Sequence, residues 1–348
     1  RDQTARFLGI PVSRVKAIPM EIGGGFGAKG ITYVEPVAAL LSRKSGRPVK
    51  IQLTRIEVFE GTGPTSGTQI KVKLGATKDG KLIAAEAELI YEAGAFPGSP
   101  VTAGIQCMMG QYDIPNAHLK ALDVVINRPK AAAYRAPGAP ASAFCMETAM
   151  DELAEKLGMD PLEFRLAHLS DNRARAVLEA ATSKANSGFS SADDGHGRGL
   201  AVARYKNSKC YVAVVIDLIV DDYGAIQLLR AVIAADAGQI VDPDGLRNQL
   251  EGGLIQSASW TLKEQVKFDD KGIVSRDWES YPILTFAEVP EIETVLIDRP
   301  DQPFLGSGEA TQGPTAAALG NAIFDAIGLR LRRIPFTQDR VRDAAAEV

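Results

Sequence analysis

One carboxylate on a glycine-hinged loop is the residue of this sequence best placed to do chemistry. The loop reads Phe304-Leu305-Gly306-Ser307-Gly308-Glu309-Ala310-Thr311-Gln312-Gly313-Pro314. Glu309 precedes a small-residue helix, Thr315–Ile327, in which Leu319, Ile323 and Ile327 recur four apart on one face. Such a helix can pack close to a neighbouring backbone or ligand. A carboxylate beside apolar groups such as Phe304 and Leu305 loses hydration. Its pKa then rises toward the range of a general base near neutral pH. A solvated acid favouring a helix N-terminus has the same local pattern.

Two further stretches hold candidate ligand-binding residues. Gly23-Gly24-Gly25-Phe26-Gly27-Ala28-Lys29-Gly30 lies between an expected strand, Val15–Ile22, and an expected helix, Tyr33–Lys44. Gly25-x-Gly27-x-x-Gly30 thus formally matches a dinucleotide fingerprint, the basis of an alternative reading as an NADP-dependent dehydrogenase. Three features oppose that match. The next expected strand, Pro48–Val58, contains Leu53-Thr54-Arg55 without a ribose-binding acid. Pro36 interrupts the helix start, and Phe26 puts a ring where a pyrophosphate should approach. The loop also suits a cradle of backbone N–H groups for another anionic or oxo ligand, or a tight structural turn. In Ala133-Tyr134-Arg135-Ala136-Pro137-Gly138, stiff residues surround a guanidinium suited to bidentate recognition of a phosphate or a planar ligand. A salt-bridged loop arginine fits equally.

The elements that must position these residues are of mixed type. The chain opens on a helical pattern, Arg1 to Gly9. Gln69–Phe96 reads as two strands about a Lys78-Asp79-Gly80 turn. A short helix (Val101–Met109), a strand (Ala121–Asn127), a helix (Ala143–Leu157) and a helical stretch (Pro161–Ala185) follow. On the polar side of Ala143–Leu157 lie Glu147, Asp151, Glu152 and Glu155. The polar, glycine-rich Ser187–Arg198 is the best connector. Gly199–Arg204, Tyr211–Val220 and Ala225–Ala235 read as strands, Leu246–Leu262 as a helix thinned by Gly252-Gly253, and Glu293–Asp298 as a last strand. The expected fold class is α+β, in two consecutive mixed lobes, residues 1–186 and 187–348, with the site between them.

Bulk properties exclude several classes. The 348 residues are 45% hydrophobic and 24% charged with a net charge of −4, and no basic stripe points to nucleic acid. No apolar run reaches membrane-spanning length. Cys107, Cys145 and Cys210 stand far apart, as do His118, His168 and His196, so neither set has the spacing of a zinc or iron–sulfur site. The opening residues, without an initiator Met, suggest a fragment or a processed piece.

Four stretches, in this order, resemble one family. They are Gly23 to Lys29, Ala133 to Gly138, Asn248-Gln249-Leu250-Glu251-Gly252-Gly253-Leu254-Ile255-Gln256, and Gly306 to Glu309 with its alanine helix. Together they resemble the molybdenum-binding large subunit of the xanthine dehydrogenase and aldehyde oxidase family. The C-terminal half is most similar to bacterial isoquinoline 1-oxidoreductase and nicotinate dehydrogenase type subunits. The resemblance implies a molybdenum–molybdopterin cofactor in its cytosine dinucleotide form. It places Gly25, Phe26 and Gly27 on the oxo side of the metal through backbone amides. Arg135 and Gln249 would hold the pyranopterin, and Glu309 would be the base, with no protein ligand to the metal. The implied reaction is hydroxylation with water as oxygen source.

The implied partners are a small subunit with 2Fe–2S clusters and a flavin subunit or cytochrome acceptor. A further N-terminal half of the same subunit is also implied, and nothing here corresponds to it. The isolated chain is therefore expected to be inactive, and a cofactor-free scaffold is a second alternative. Purine-oxidising relatives carry an acidic residue after the glycine-loop lysine and an upstream arginine. Gly30 and Ala103 stand at those places here, which implies an aldehyde or N-heteroaromatic substrate in place of xanthine.

Overall fold

In the computed structural model, which describes residues 1–187 and 195–347, three short helices come first: α1 (Asp2–Leu8), α2 (Glu35–Ser45) and α3 (Arg55–Gly61). Pro36 lies in the first turn of α2, where its missing N–H costs nothing, so it starts the helix it was expected to interrupt. Two expected strands do not form. Val15–Ile22 contains a turn and then runs unpaired and mostly exposed, with no neighbour to build a ladder. Pro48–Val58 divides at Thr54. The Thr54 hydroxyl accepts from the Glu57 N–H at 3.3 Å, and the Glu57 carboxylate accepts from the Thr54 N–H at 2.6 Å. This reciprocal cap starts α3 and overrides the β-branched run.

The Lys78-Asp79-Gly80 turn, with Gly80 at φ 89°, joins β1 (Thr68–Ala76) to β2 (Leu82–Gly94) in antiparallel register. The chain then crosses through α4 (Val101–Met108) to β3 (Ala117–Val125), which pairs parallel to β2. Alternate β2 residues Ala85, Ala87, Leu89 and Tyr91 are buried in one core with Met146 and Met150 of α5 (Ala139–Leu157). The long helical stretch that follows is two helices, α6 (Pro161–Ala167) and α7 (Asn172–Asn186). Each has its own aspartate cap: Asp160 accepts from the Leu162 and Glu163 N–H groups, and Asp171 from the Arg173 N–H. Most of the expected connector, Ser187–Arg198, lies outside the described residues, and its end is already strand from His196.

The second sheet has the order β4-β5-β6-β9, from β4 (His196–Arg204), β5 (Tyr211–Val220), β6 (Ile226–Asp236) and β9 (Glu291–Leu296). Between β6 and β9 come α8 (Pro243–Leu262) and a two-strand ribbon, β7 (Phe268–Asp269) and β8 (Gly272–Ile273). After β9 come α9 (Gln312–Ile327) and α10 (Gln338–Ala346). Both sheet faces are covered, which is why β5 is apolar almost throughout. Val212, Val214 and Ile216 share a core with Leu250, Leu254, Leu319 and Ile323, while Ala213 and Val215 join the core of α5 and α7. Each buried leucine or isoleucine contributes about 1.5–3 kcal/mol. Helix α9 lies flat on β4 because Gly197 and Gly199 lack side chains. A Cβ at either would stand 2.1 Å from the carbonyl oxygen of Ala322 or Ala318.

One buried ionic network ties the two sheets' layers together. The Glu147 carboxylate on α5 accepts from Tyr112 Oη at 2.5 Å, Arg165 Nε at 2.9 Å and the Val202 N–H of β4 at 3.0 Å. Asp151, one turn on, accepts from Arg165 at 3.4 Å and from Arg330, beyond α9, at 2.8 Å.

Candidate active site

Three loops and one helix face meet around a cavity of about 270 Å³ lined by Phe26, Gly27, Ala133, Arg135, Pro137, Gln249, Gly308 and Glu309. Five of the residues singled out from the sequence are therefore together, and Gly25 stands just outside the lining. Gly30 is exposed, and a Cβ there would meet nothing. Ala103 lies on α4, away from the lining.

The glycine loop does not have the context of a dinucleotide fingerprint. No strand leads into it, and only a single 3-10 turn, Ala28–Gly30, follows before α2 begins at Glu35. Instead it bends back on the arginine loop, with Gly24 at φ 107°, Phe26 at 51° and Gly27 at 108°. A side chain at Gly27 would put its Cβ 2.4 Å from the Ala133 carbonyl oxygen. Phe26 accepts the Arg135 N–H at 2.8 Å, and its ring sits 5.4 Å from the guanidinium.

Arg135 is buried and reaches across to α8 and the glutamate loop. Its Nε donates to the Gly308 carbonyl at 2.7 Å, and its terminal nitrogens donate to Gln256 Oε1 and to both oxygens of Gln249. Burial pulls the guanidinium below its ordinary pKa, and Glu309 nearby pulls it back up. Tyr134, beside it, rests edge-on against Trp260 of α8 at 4.9 Å. The Gly252-Gly253 pair leaves room for these approaches. A Cβ at Gly253 would meet Thr311 Oγ1 at 2.3 Å and Gln312 Nε2 at 2.4 Å.

Glu309 sits on the loop before α9, and its Oε1 accepts the Ala136 N–H at 2.9 Å. The neighbours differ from those expected. Phe304 is 72% exposed and Leu305 packs into the first core. What flanks the carboxylate comes from elsewhere in the chain. Tyr205 packs with Ala136, Ala139 and Cys107 of α4. Burial pushes the Tyr205 phenol and the Cys107 thiol up, and the Glu309 charge adds to both shifts. Nothing in the local sequence marks Tyr205 or Cys107. The signal that could have found Gln256 is its position seven residues after Gln249, two turns along the same helix face.

The cavity wall is rich in unused donors. Among the described residues, the N–H groups of Phe26 and Gly27 and the side-chain amide NH₂ of Gln249 have no acceptor. Against these donors stands one carboxylate. A group with several oxo or phosphate oxygens and one proton to exchange fits this set. Among the described residues, no group of three His, Cys, Asp or Glu could hold a metal ion directly, so a metal here would come ligated by a cofactor. No described helix is long and apolar enough to cross a membrane.

Residues 1–169 and 116–290 each match a family described as molybdopterin cofactor-binding domain. One of the two nicotinate dehydrogenase chains of Pseudomonas putida is 37% identical over 99% of this chain and 31% of that protein. The beta chain of isoquinoline 1-oxidoreductase from Brevundimonas diminuta is 27% identical over 95% of this chain and 44% of that protein. The chain thus spans less than half the length of these curated relatives. In three dimensions it is similar to quinoline 2-oxidoreductase from Pseudomonas putida, with a TM-score of 0.88 at 16% identity over 99% of this chain and 70% of that one. The α+β architecture agrees with that fold. This chain belongs to the molybdopterin-binding subunits of the xanthine dehydrogenase and aldehyde oxidase family.

Proposed function

We propose that the chain is the cofactor-holding part of a molybdenum hydroxylase that oxidises an aldehyde or an N-heteroaromatic ring, with water as oxygen source. The observation that carries this reading is the meeting of Phe26, Gly27, Arg135, Gln249 and Glu309, from distant parts of the chain, around one donor-rich cavity. The backbone amides of Gly25, Phe26 and Gly27, the Gln249 amide and Arg135 face the cofactor, in its cytosine dinucleotide form. When bound, that cofactor supplies two-electron redox chemistry and the activation of water. Glu309, held by the Ala136 N–H, accepts the proton released as the oxygen is transferred. The lobes 1–186 and 187–348 each contribute part of the wall. A further N-terminal half, a 2Fe–2S subunit and a flavin subunit or cytochrome complete the enzyme.

Gly30 and Ala103 offer no polar side chain to a purine, and each unpaired polar edge costs about 1–3 kcal/mol. Two such losses correspond to roughly 10²- to 10⁴-fold in kcat/KM. The assembled enzyme, with molybdenum confirmed by elemental analysis, should therefore prefer an aromatic aldehyde or isoquinoline to xanthine by such a factor. Highest kcat/KM on xanthine would overturn the substrate assignment, and a metal-free, inactive complex would overturn the hydroxylase itself.

A further inference from the structure

The guanidinium of Arg135 is almost entirely engaged within the protein. Its Nε donates to Gly308 O at 2.7 Å, one terminal nitrogen to Gln256 Oε1 at 3.3 Å, and the other to Gln249 O and Oε1, both at 3.0 Å. Arginine has five N–H donors, so one remains for a ligand. The backbone around it is equally committed. The Arg135 N–H goes to Phe26 O at 2.8 Å, and the next N–H, on Ala136, goes to Glu309 Oε1 at 2.9 Å. Ala136 is held at φ 63°, a conformation a non-glycine residue keeps only where its surroundings enforce it. Residues 135 and 136 therefore grip the glutamate loop twice, at the peptide before Glu309 and at its carboxylate.

We propose that Arg135 is a positioning residue for Glu309, fixing the loop that carries the carboxylate, with contact to the cofactor a secondary role. What Glu309 does there rests on the hydroxylase reading, but the grip itself does not. Lysine keeps the charge but presents a point donor that cannot fork to Gly308, Gln249 and Gln256 together.

Two measurements on Arg135→Lys test this. In the cofactor-free chain, hydrogen–deuterium exchange of segment 305–311 should be at least about tenfold faster than in the parent, with β5 and β6 still protected. Unchanged exchange in that segment would overturn the proposal. Should the variant lose protection throughout, Gln256→Leu, which removes one anchor of the guanidinium, should speed the same segment by about threefold, and no change there would equally overturn it. In the assembled enzyme, molybdenum per chain should stay within about twofold, while kcat per molybdenum falls at least about tenfold with little change in KM. Lost molybdenum with unchanged kcat per bound metal would make Arg135 a cofactor clamp and overturn the proposal. A parent enzyme without molybdenum would instead sink the hydroxylase reading, and the exchange measurement would still decide the positioning role.

Discussion

Glu309→Gln in the assembled enzyme is expected to lower turnover at least ~10²-fold while fold and molybdenum content stay as in the parent. Glutamine is nearly isosteric, and its side-chain oxygen can still accept the Ala136 N–H that now binds Oε1 at 2.9 Å. The change therefore leaves the loop in place and removes only the ability to take a proton. No second carboxylate lines the cavity to replace it. The effect should fall on kcat and on kcat/KM alike, because the proton moves only as the transition state is reached. Steady-state rates expressed per bound molybdenum are the measurement, and near-normal turnover would remove Glu309 from the mechanism.

The largest effect on stability is expected at Glu147. Its carboxylate holds the fully buried Arg165, the Tyr112 hydroxyl and the Val202 N–H together. In Glu147→Gln, Arg165 keeps only the 3.4 Å pairing with Asp151, which already serves Arg330. One side of the new amide would also face donors with a donor. Leaving a buried charge uncompensated costs about 3–5 kcal/mol, a large part of a typical domain's stability. Glu155, 53% exposed at the rim of the same network, is the control: Glu155→Gln should cost no more than about 1 kcal/mol. Urea unfolding of the chain reads both values. Equal, small losses would mean that the network does not hold the two sheets' layers together.

Much of the architecture was legible because it is local. The Lys78-Asp79-Gly80 turn specifies the β1–β2 hairpin, and the four-residue recurrence of Leu319, Ile323 and Ile327 specifies α9, through neighbours in sequence. Where the reading went astray, a second local signal was present but outweighed. Thr54 and Glu57 form a capping box inside a run that also suits a strand, and Asp160 and Asp171 each begin a helix within one apparent helical stretch. The β-branched content of Val15–Ile22 was a poor guide because a strand needs a partner, and none lies beside it.

The motifs that carry the family, with Gly25 to Gly27, Arg135, Gln249 and Glu309 among them, are present in the sequence alone, in their order. Their chemistry is not. Whether Arg135 is a surface loop arginine or the pin of the glutamate loop depends on a hydrogen bond to a residue 173 positions away, and Glu309 meets Ala136 over the same span. Phe304, adjacent in sequence, turns out to solvent, while Tyr205 and Cys107 arrive beside the carboxylate from another strand end and another helix. The acids of α5 differ from one another for the same reason: Glu147 and Asp151 are buried by layers arriving from both sheets, while Glu155 stays at the rim. Turns and helix caps are set by neighbours a few residues apart, which a sequence displays directly. Desolvation and long-range pairing depend on which layers pack together, and only the tertiary structure decides that.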